Sequence, residues 1–181
     1  TLYIYIYNKK IEVFIIIKSI FYQIFKKMNL QEFEERESKS YDKIYFSGKT
    51  DKQIKINQDD INNGFDTEDR YIINKGDHIA YRYEIIAKIG KGVFSDVIKV
   101  LDHKDRSERV IKIIKNEYRF SKQHQKELKI LYLIKENFPS NDILLDIIGN
   151  FNFRHHDCVI MNMFYMNLYE YYKSKGYLDQ Q

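Results

Sequence analysis

Tryptophan is absent from this 181-residue chain, and proline and cysteine occur once each. A single cysteine, Cys158, excludes an intramolecular disulfide and points to an intracellular setting, the cytoplasm with the nucleus as alternative. Set in an apolar run, it reads as a small buried hydrophobe. Charge of one sign is not in excess either: 30 Lys and Arg against 26 Asp and Glu leave +4 spread along the chain. That gives no basic stripe for nucleic acid. No run is long and apolar enough for a comfortable membrane span. The stretch 11–25 is interrupted by Glu12, Lys18 and Gln23, whereas a span needs about 20 mostly apolar residues. No small-residue cleavage site follows it, which argues against a secretory signal. What is present is a 44% apolar composition, enough to bury the core of one ordinary domain. The 16 Tyr and 12 Phe, with abundant Ile, Asn and Lys, look like an AT-rich coding sequence.

Along the chain, residues 1–27 form an atypical apolar leader. It reads best as upstream sequence translated in frame, with Met28 as the start; the alternative is an amphipathic helix on a membrane surface. Residues 28–61 are polar, sustain no apolar period, and read as a mostly disordered linker. From Tyr71 the texture becomes β-rich. Segments 71–73, 83–89, 96–101 and 109–114 read as strand or turn around a glycine-bearing turn at 90–95. Residues 120–135 change to helical spacing. Ser121 is a plausible N-cap, and Leu128, Leu131 and Ile134 share one face. Segments 143–153 and 158–163 read as a hairpin turning at 154–157, and a short helix is expected at 167–174. The order of elements predicts an α+β fold, an antiparallel sheet with a helix packed on one side.

Three elements carry chemistry. Ile89-Gly90-Lys91-Gly92-Val93-Phe94-Ser95-Asp96-Val97 is a glycine-rich turn between two strands. Phosphates need close backbone approach and free N–H groups, which Gly90 and Gly92 permit. A strand follows the turn, not the helix of a dinucleotide fold, so the turn suits a flap over phosphates. Lys112 lies in Arg109-Val110-Ile111-Lys112, where period-two alternation turns it away from Ile111 and Ile113. Glu127 follows fifteen residues later on the predicted helix, one turn before Leu131. Read alone, each is a plain hairpin or a surface charge. The order of glycine turn, strand lysine and helix glutamate matches the protein-kinase signature.

The run Asp77-His78-Ile79-Ala80-Tyr81-Arg82-Tyr83-Glu84, followed by Ile89-Gly90-Lys91-Gly92, resembles the dual-specificity tyrosine-regulated kinases, the DYRK family. So do Leu101-Asp102-His103-Lys104, Ile111-Lys112-Ile113-Ile114-Lys115-Asn116, Arg119-Phe120, Glu127-Leu128-Lys129-Ile130-Leu131, Asn150-Phe151-Asn152-Phe153-Arg154 and Met166-Asn167-Leu168-Tyr169-Glu170. The resemblance is collinear over about residues 62–178. It implies a kinase N-terminal lobe at 83–166, five antiparallel strands with helix C, preceded at 62–82 by a family-like pre-kinase element. It further implies that ATP lies under residues 89–95. Ile89 and Val97 would sandwich the adenine, and Lys112 would hold the phosphates and pair with Glu127. Met161 would be the gatekeeper, with Asn162 and Phe164 offering hinge backbone groups and Asn167 lying near the ribose. Residues 167–181 would follow the hinge.

The chain departs from the family pattern at three of these positions. Ser95 stands where the third glycine is expected, Asn162 where the hinge usually has Glu, and Val110 where the family has Ala. The added bulk near the adenine typically costs about 1–3 kcal/mol. Nor do the 181 residues contain an H-R-D, D-F-G or A-P-E motif, which in kinases supply the catalytic base and the magnesium ligands. His155 and His156 read as exposed turn residues, not a substitute base and not a metal site. The expectation is an incomplete DYRK-like protein kinase, binding ATP here and using magnesium and protein substrates only as a whole kinase. The alternative is a non-catalytic short protein that binds nucleotide or a partner. In either case the 181-residue chain should transfer no phosphoryl group. Incubation with radiolabelled ATP and a generic protein substrate checks this, and labelling that Lys112→Ala abolishes would contradict it.

Overall fold

A computed structural model describes residues 30–48, 66–138, 147–163 and 173–175. Helix α1 spans Glu32–Ser38. Strands β1 (Asp66–Thr67) and β2 (Arg70–Tyr71) form a small hairpin. A mixed-length antiparallel sheet follows, made of β3 (His78–Ile79), β4 (Tyr83–Lys91), β5 (Ser95–Asp102), β6 (Glu108–Ile114), β7 (Ile147–Phe153) and β8 (His156–Asn162). Helix α2, Tyr118–Asn137, lies between β6 and β7 in sequence. The strand order is β3-β4-β5-β6-β8-β7. The five long strands are those of the α+β N-lobe that the resemblance implies, and the two-residue β3 adds a sixth at the edge.

Strand alternation sorts the sheet into two faces. On the outer face, Ile98 pairs with Ile111 and Ile111 with Ile160, while Ile113 pairs with Cys158 and Cys158 with Phe151. These join Tyr71, Ile79, Tyr81, Tyr83, Ile85 and Val100 in one buried cluster. On the inner face, Val97 pairs with Lys112 and Lys112 with Val159, and Val110 pairs with Met161. Ile147, Val159 and Met161 form a smaller cluster there, covered by Leu128 and Leu131 of α2. Each face therefore has its own lid.

The outer lid is the segment before the sheet. Residues 30–48 are structured, whereas the sequence suggests a disordered linker at 28–61. Leu30, Phe33, Tyr41 and Ile44 pack onto the outer core, and a buried polar network locks α1 in place. Arg154 sits at a hairpin turn with φ of 48°, its side chain 4% exposed. It donates to Glu37 from Nη2 (2.8 Å) and Nε (3.1 Å) and lies 3.6 Å from Glu34. The fully buried Glu34 carboxylate also accepts from His78 Nε2 at 2.9 Å, and the Tyr81 hydroxyl donates to Glu37 Oε2 at 2.6 Å. A charge in an apolar interior is tolerated only when paired and hydrogen-bonded, and here each charge is.

Several expectations are corrected. The N-cap of α2 is Glu117, not Ser121; Ser121 lies inside the first turn and donates to Asp157 Oδ2 at 2.6 Å. His156 is fully buried and not an exposed turn residue, because its Nδ1 donates to the Ile114 carbonyl at 2.7 Å and its ring meets Tyr71 edge-on. His155 alone remains exposed in that turn. Leu131 and Ile134 are half-buried, on the least exposed stripe of α2. The helix expected at 167–174, Phe164 and Asn167 lie mostly or wholly outside the described residues. No described helix is long and apolar enough to cross a membrane.

The network predicts a large cost for its cation. Arg154→Ala leaves two carboxylates uncompensated and should lower unfolding free energy by about 3–5 kcal/mol, the usual penalty for breaking a buried pair from one side. Urea melts of wild type and variant check it, and a shift below about 1 kcal/mol would contradict it.

Candidate functional site

The inner face brings several of the sequence-predicted residues near one another toward the turn end of the β4–β5 hairpin. Residues Gly92–Phe94 form the turn itself, with Ile89, Val93 and Phe94 among the exposed large apolar side chains. The turn is closed by the Gly92 N–H donating to the Ser95 carbonyl at 2.8 Å. Position 90 is tight for a side chain: a Cβ there would sit 3.3 Å from the Val97 Cβ, which would have to give by a few tenths of an ångström. Ser95 is buried and begins β5, so the residue in place of the third glycine lies in the strand, not in the tip. Lys91 is exposed and pairs in register with Asp96.

Lys112 emerges on the inner face directly across from Val97. Its Nζ donates to both carboxylate oxygens of Glu127, at 2.7 and 2.9 Å. Glu127 is aimed by the anchoring of α2 on the sheet. Ser121 holds Asp157, the Tyr132 hydroxyl donates to Asn150 Oδ1 at 2.7 Å, and Lys135 Nζ donates to the Ile147 carbonyl at 2.5 Å. These contacts run the length of the helix and fix its rotation. Lys112 is 24% and Glu127 47% exposed, so the pair contributes little stability of its own. Its effect is on direction: the ammonium is held in the pocket it shares with Phe94 of the turn and still reaches solvent.

Between the turn and α2 lies a pocket lined by Phe94, Lys112, Ile114, Phe120, Gln123, His124 and Glu127. Phe94 and Phe120, both lining it, stand with ring centroids 5.1 Å apart. His124 belongs to this site although the sequence reading does not select it. Its ring is buried, and among the described residues neither nitrogen has a hydrogen bond; Nδ1 stands 3.9 Å from Glu127 Oε2. Burial lowers its pKa, opposed by the charges of Asp157 and Glu127. The spacing of Phe120, His124 and Leu128 is the available clue, since it places an imidazole on the apolar stripe of the helix.

On the hinge side, Met161 is buried and faces Val110 across β6 and β8. Val110 packs against Ile147, Val159 and Met161, so its added bulk is met by neighbouring side chains. Asn162 Oδ1 accepts from Arg109 Nη1 at 2.7 Å, which occupies its side-chain oxygen. Among the described residues no group of three or more His, Cys, Asp or Glu is placed to hold a metal ion. The Cys158 thiol is buried on the outer face, and burial raises its pKa well above the usual value.

The lowered His124 value has a sign that can be tested. An imidazole easier to protonate in the unfolded chain than in the fold adds stability that is fully present above its ordinary value and is lost as pH falls through that value. Melting temperature should therefore fall between about pH 7.5 and 5.5, and His124→Leu should show a smaller fall. Equal falls in both proteins would contradict it.

The chain is similar to several known protein kinases. No protein-family profile matches the chain. The DYRK-family kinase pom1 of Schizosaccharomyces pombe is 38% identical over 160 residues, 86% of this chain and 15% of that protein. The dual specificity tyrosine-phosphorylation-regulated kinase mbk-2 of Caenorhabditis elegans is 37% identical over 147 residues, 80% of the chain and 18% of the relative. The mouse dual specificity tyrosine-phosphorylation-regulated kinase 3 is 36% identical over 154 residues, 83% of the chain and 26% of the relative. The chain thus spans about a quarter or less of the length of these curated relatives.

Proposed function

We propose, for a chain that belongs over its matched residues to the DYRK family of protein kinases, that it binds ATP on the inner face of its sheet. The observation that carries this reading is the Lys112–Glu127 pair, closed at 2.7 and 2.9 Å in a pocket shared with Phe94 of the glycine turn. A lysine held in place by a carboxylate presents a fixed positive charge where the α- and β-phosphates would lie. Gly92, Val93 and Phe94 supply backbone over those phosphates. Ile89, Val97 and Val110 supply the apolar walls for adenine, with Met161 behind it. The backbone of Asn162 would meet the adenine edge, and Phe164 and Asn167 complete the proposed contacts in the sequence.

The residues fit the nucleotide. What they do not include is a catalytic base or magnesium ligands of the kinase kind. The reading therefore assigns to this chain nucleotide binding, and assigns phosphoryl transfer to protein, with Mg2+, to a kinase that also carries those motifs.

Calorimetric titration of the 181-residue chain with ATP tests the reading. Binding is expected, with Lys112→Ala and Glu127→Ala each weakening it by about tenfold or more, the effect of losing charge-assisted contacts. Heat-silent titration of a folded chain at millimolar ATP, or full affinity in Lys112→Ala, would overturn the assignment.

A further inference from the structure

We propose that Arg70, in the hairpin before the sheet, is a positioning residue that clamps the glycine turn from the outer side and orients its amides toward phosphate. The phosphate part rests on the ATP reading above; the clamp itself does not.

Arg70 follows Glu68 and Asp69, whose φ values of 53° and 60° put two non-glycine residues in the left-handed region. Such a conformation persists where the surroundings impose it. Here the surroundings are visible: the Asn116 N–H donates to the Asp69 carbonyl at 2.8 Å, tying the hairpin to the connection between β6 and α2. From this anchored turn Arg70 Nη2 donates to the carbonyls of Gly92 (2.8 Å) and Val93 (3.2 Å). Its Nη1 donates to Asp96 Oδ1 at 3.1 Å. The Asp96 side chain is 4% exposed and also meets Lys88 Nζ at 2.8 Å. A planar guanidinium can serve two carbonyls and a carboxylate at once, which a lysine ammonium does less well.

The direction of the grip gives it a role. Asp96 is one residue from Val97, so the two side chains leave the strand on opposite faces. Val97 shares the inner face with Lys112, and Arg70 therefore approaches from behind the turn, outside the space a nucleotide would occupy. Within a trans peptide the C=O and the next N–H point in opposite directions. Carbonyls of Gly92 and Val93 that point to Arg70 consequently aim the N–H groups of Val93 and Phe94 away from it. Among the described residues neither of those amides makes a hydrogen bond. Two successive unpaired amides on one side of a turn are the arrangement that receives an anion. Ser95 makes the clamp more consequential, because position 95 lacks the backbone freedom a glycine would give.

Two measurements on the full 181-residue chain test this. Hydrogen exchange of the Gly92 amide, which closes the turn on the Ser95 carbonyl, should be about tenfold faster in Arg70→Ala than in wild type, with β6 unchanged, given the strength of hydrogen bonds to charged groups. ATP affinity by calorimetry should weaken by a similar factor. Arg70→Lys keeps the charge beside Asp96 and loses the double carbonyl contact. It should loosen the turn by a smaller factor, and it carries the test if the alanine variant does not fold. Unchanged exchange in the turn would overturn the clamp. A loosened turn with undiminished ATP affinity would overturn the positioning role. A loosened turn in a chain that binds no ATP in any version would uphold the clamp and refute the nucleotide reading instead.

Discussion

The buried guanidinium of Arg154 is the constraint from which the arrangement of the molecule follows. It stands at the tip of the β7–β8 hairpin, almost wholly removed from water, where an unpaired charge would be costly to bury. Two carboxylates on one short helix, Glu34 and Glu37, neutralise it, and His78 and Tyr81 complete their hydrogen bonding. Glu34 and Glu37 lie three residues apart on adjacent positions of the α1 surface, so this pairing dictates which side of α1 faces the sheet. With α1 so oriented, Phe33 packs onto the outer core and Arg154 lies over its ring at 5.4 Å. The outer face is thereby closed, and only the inner face is left for α2 and a ligand.

The two faces are not independent. Tyr71 of β2 belongs to the outer cluster, and Arg70 beside it reaches the turn that overhangs the inner face. Helix α2 is set from the other direction, by polar contacts from its first turn to its last onto β7 and β8. Lys112 therefore lies between a turn held from behind and a carboxylate aimed by a helix. Geometry of this kind needs no strong pairwise energy. The Lys112–Glu127 pair is exposed enough for water to screen it, and its value is in where it keeps the ammonium.

The parts of this design that were legible in the sequence are those with local periodicity. Alternating Ile111, Lys112 and Ile113 told the two faces of β6 apart, and the interval from Lys112 to Glu127 put a carboxylate on the following helix. Glycines marked the turn because their signal is local: two of them fall within three residues where one strand gives way to the next, and a Cβ at position 90 would press on Val97. What was not legible depends on partners far along the chain. Helix α1 has seven residues, too few to be stable alone in water, and its polar sequence reads as disorder until Arg154 is known to lie against it. His156 looked exposed because a hairpin turn usually is, yet the carbonyl of Ile114 draws it inward. Ser121 has the chemistry of a cap and was drawn instead to Asp157. Arg70 gave no signal, since nothing near it in sequence reveals what its guanidinium touches.

The same contacts have a consequence for synthesis. Glu37 and its cation Arg154 are 117 residues apart, so the helix leaves the ribosome long before its partner exists. At typical elongation rates of about 5–20 residues per second, that interval is roughly 6–23 s. Throughout it the acidic helix is hydrated and unsupported, and β4, β5 and β6, each once made, present an uncovered apolar face. A sheet that can be sealed only when the β7–β8 turn emerges is one whose early strands are exposed during translation, to chaperones or to one another.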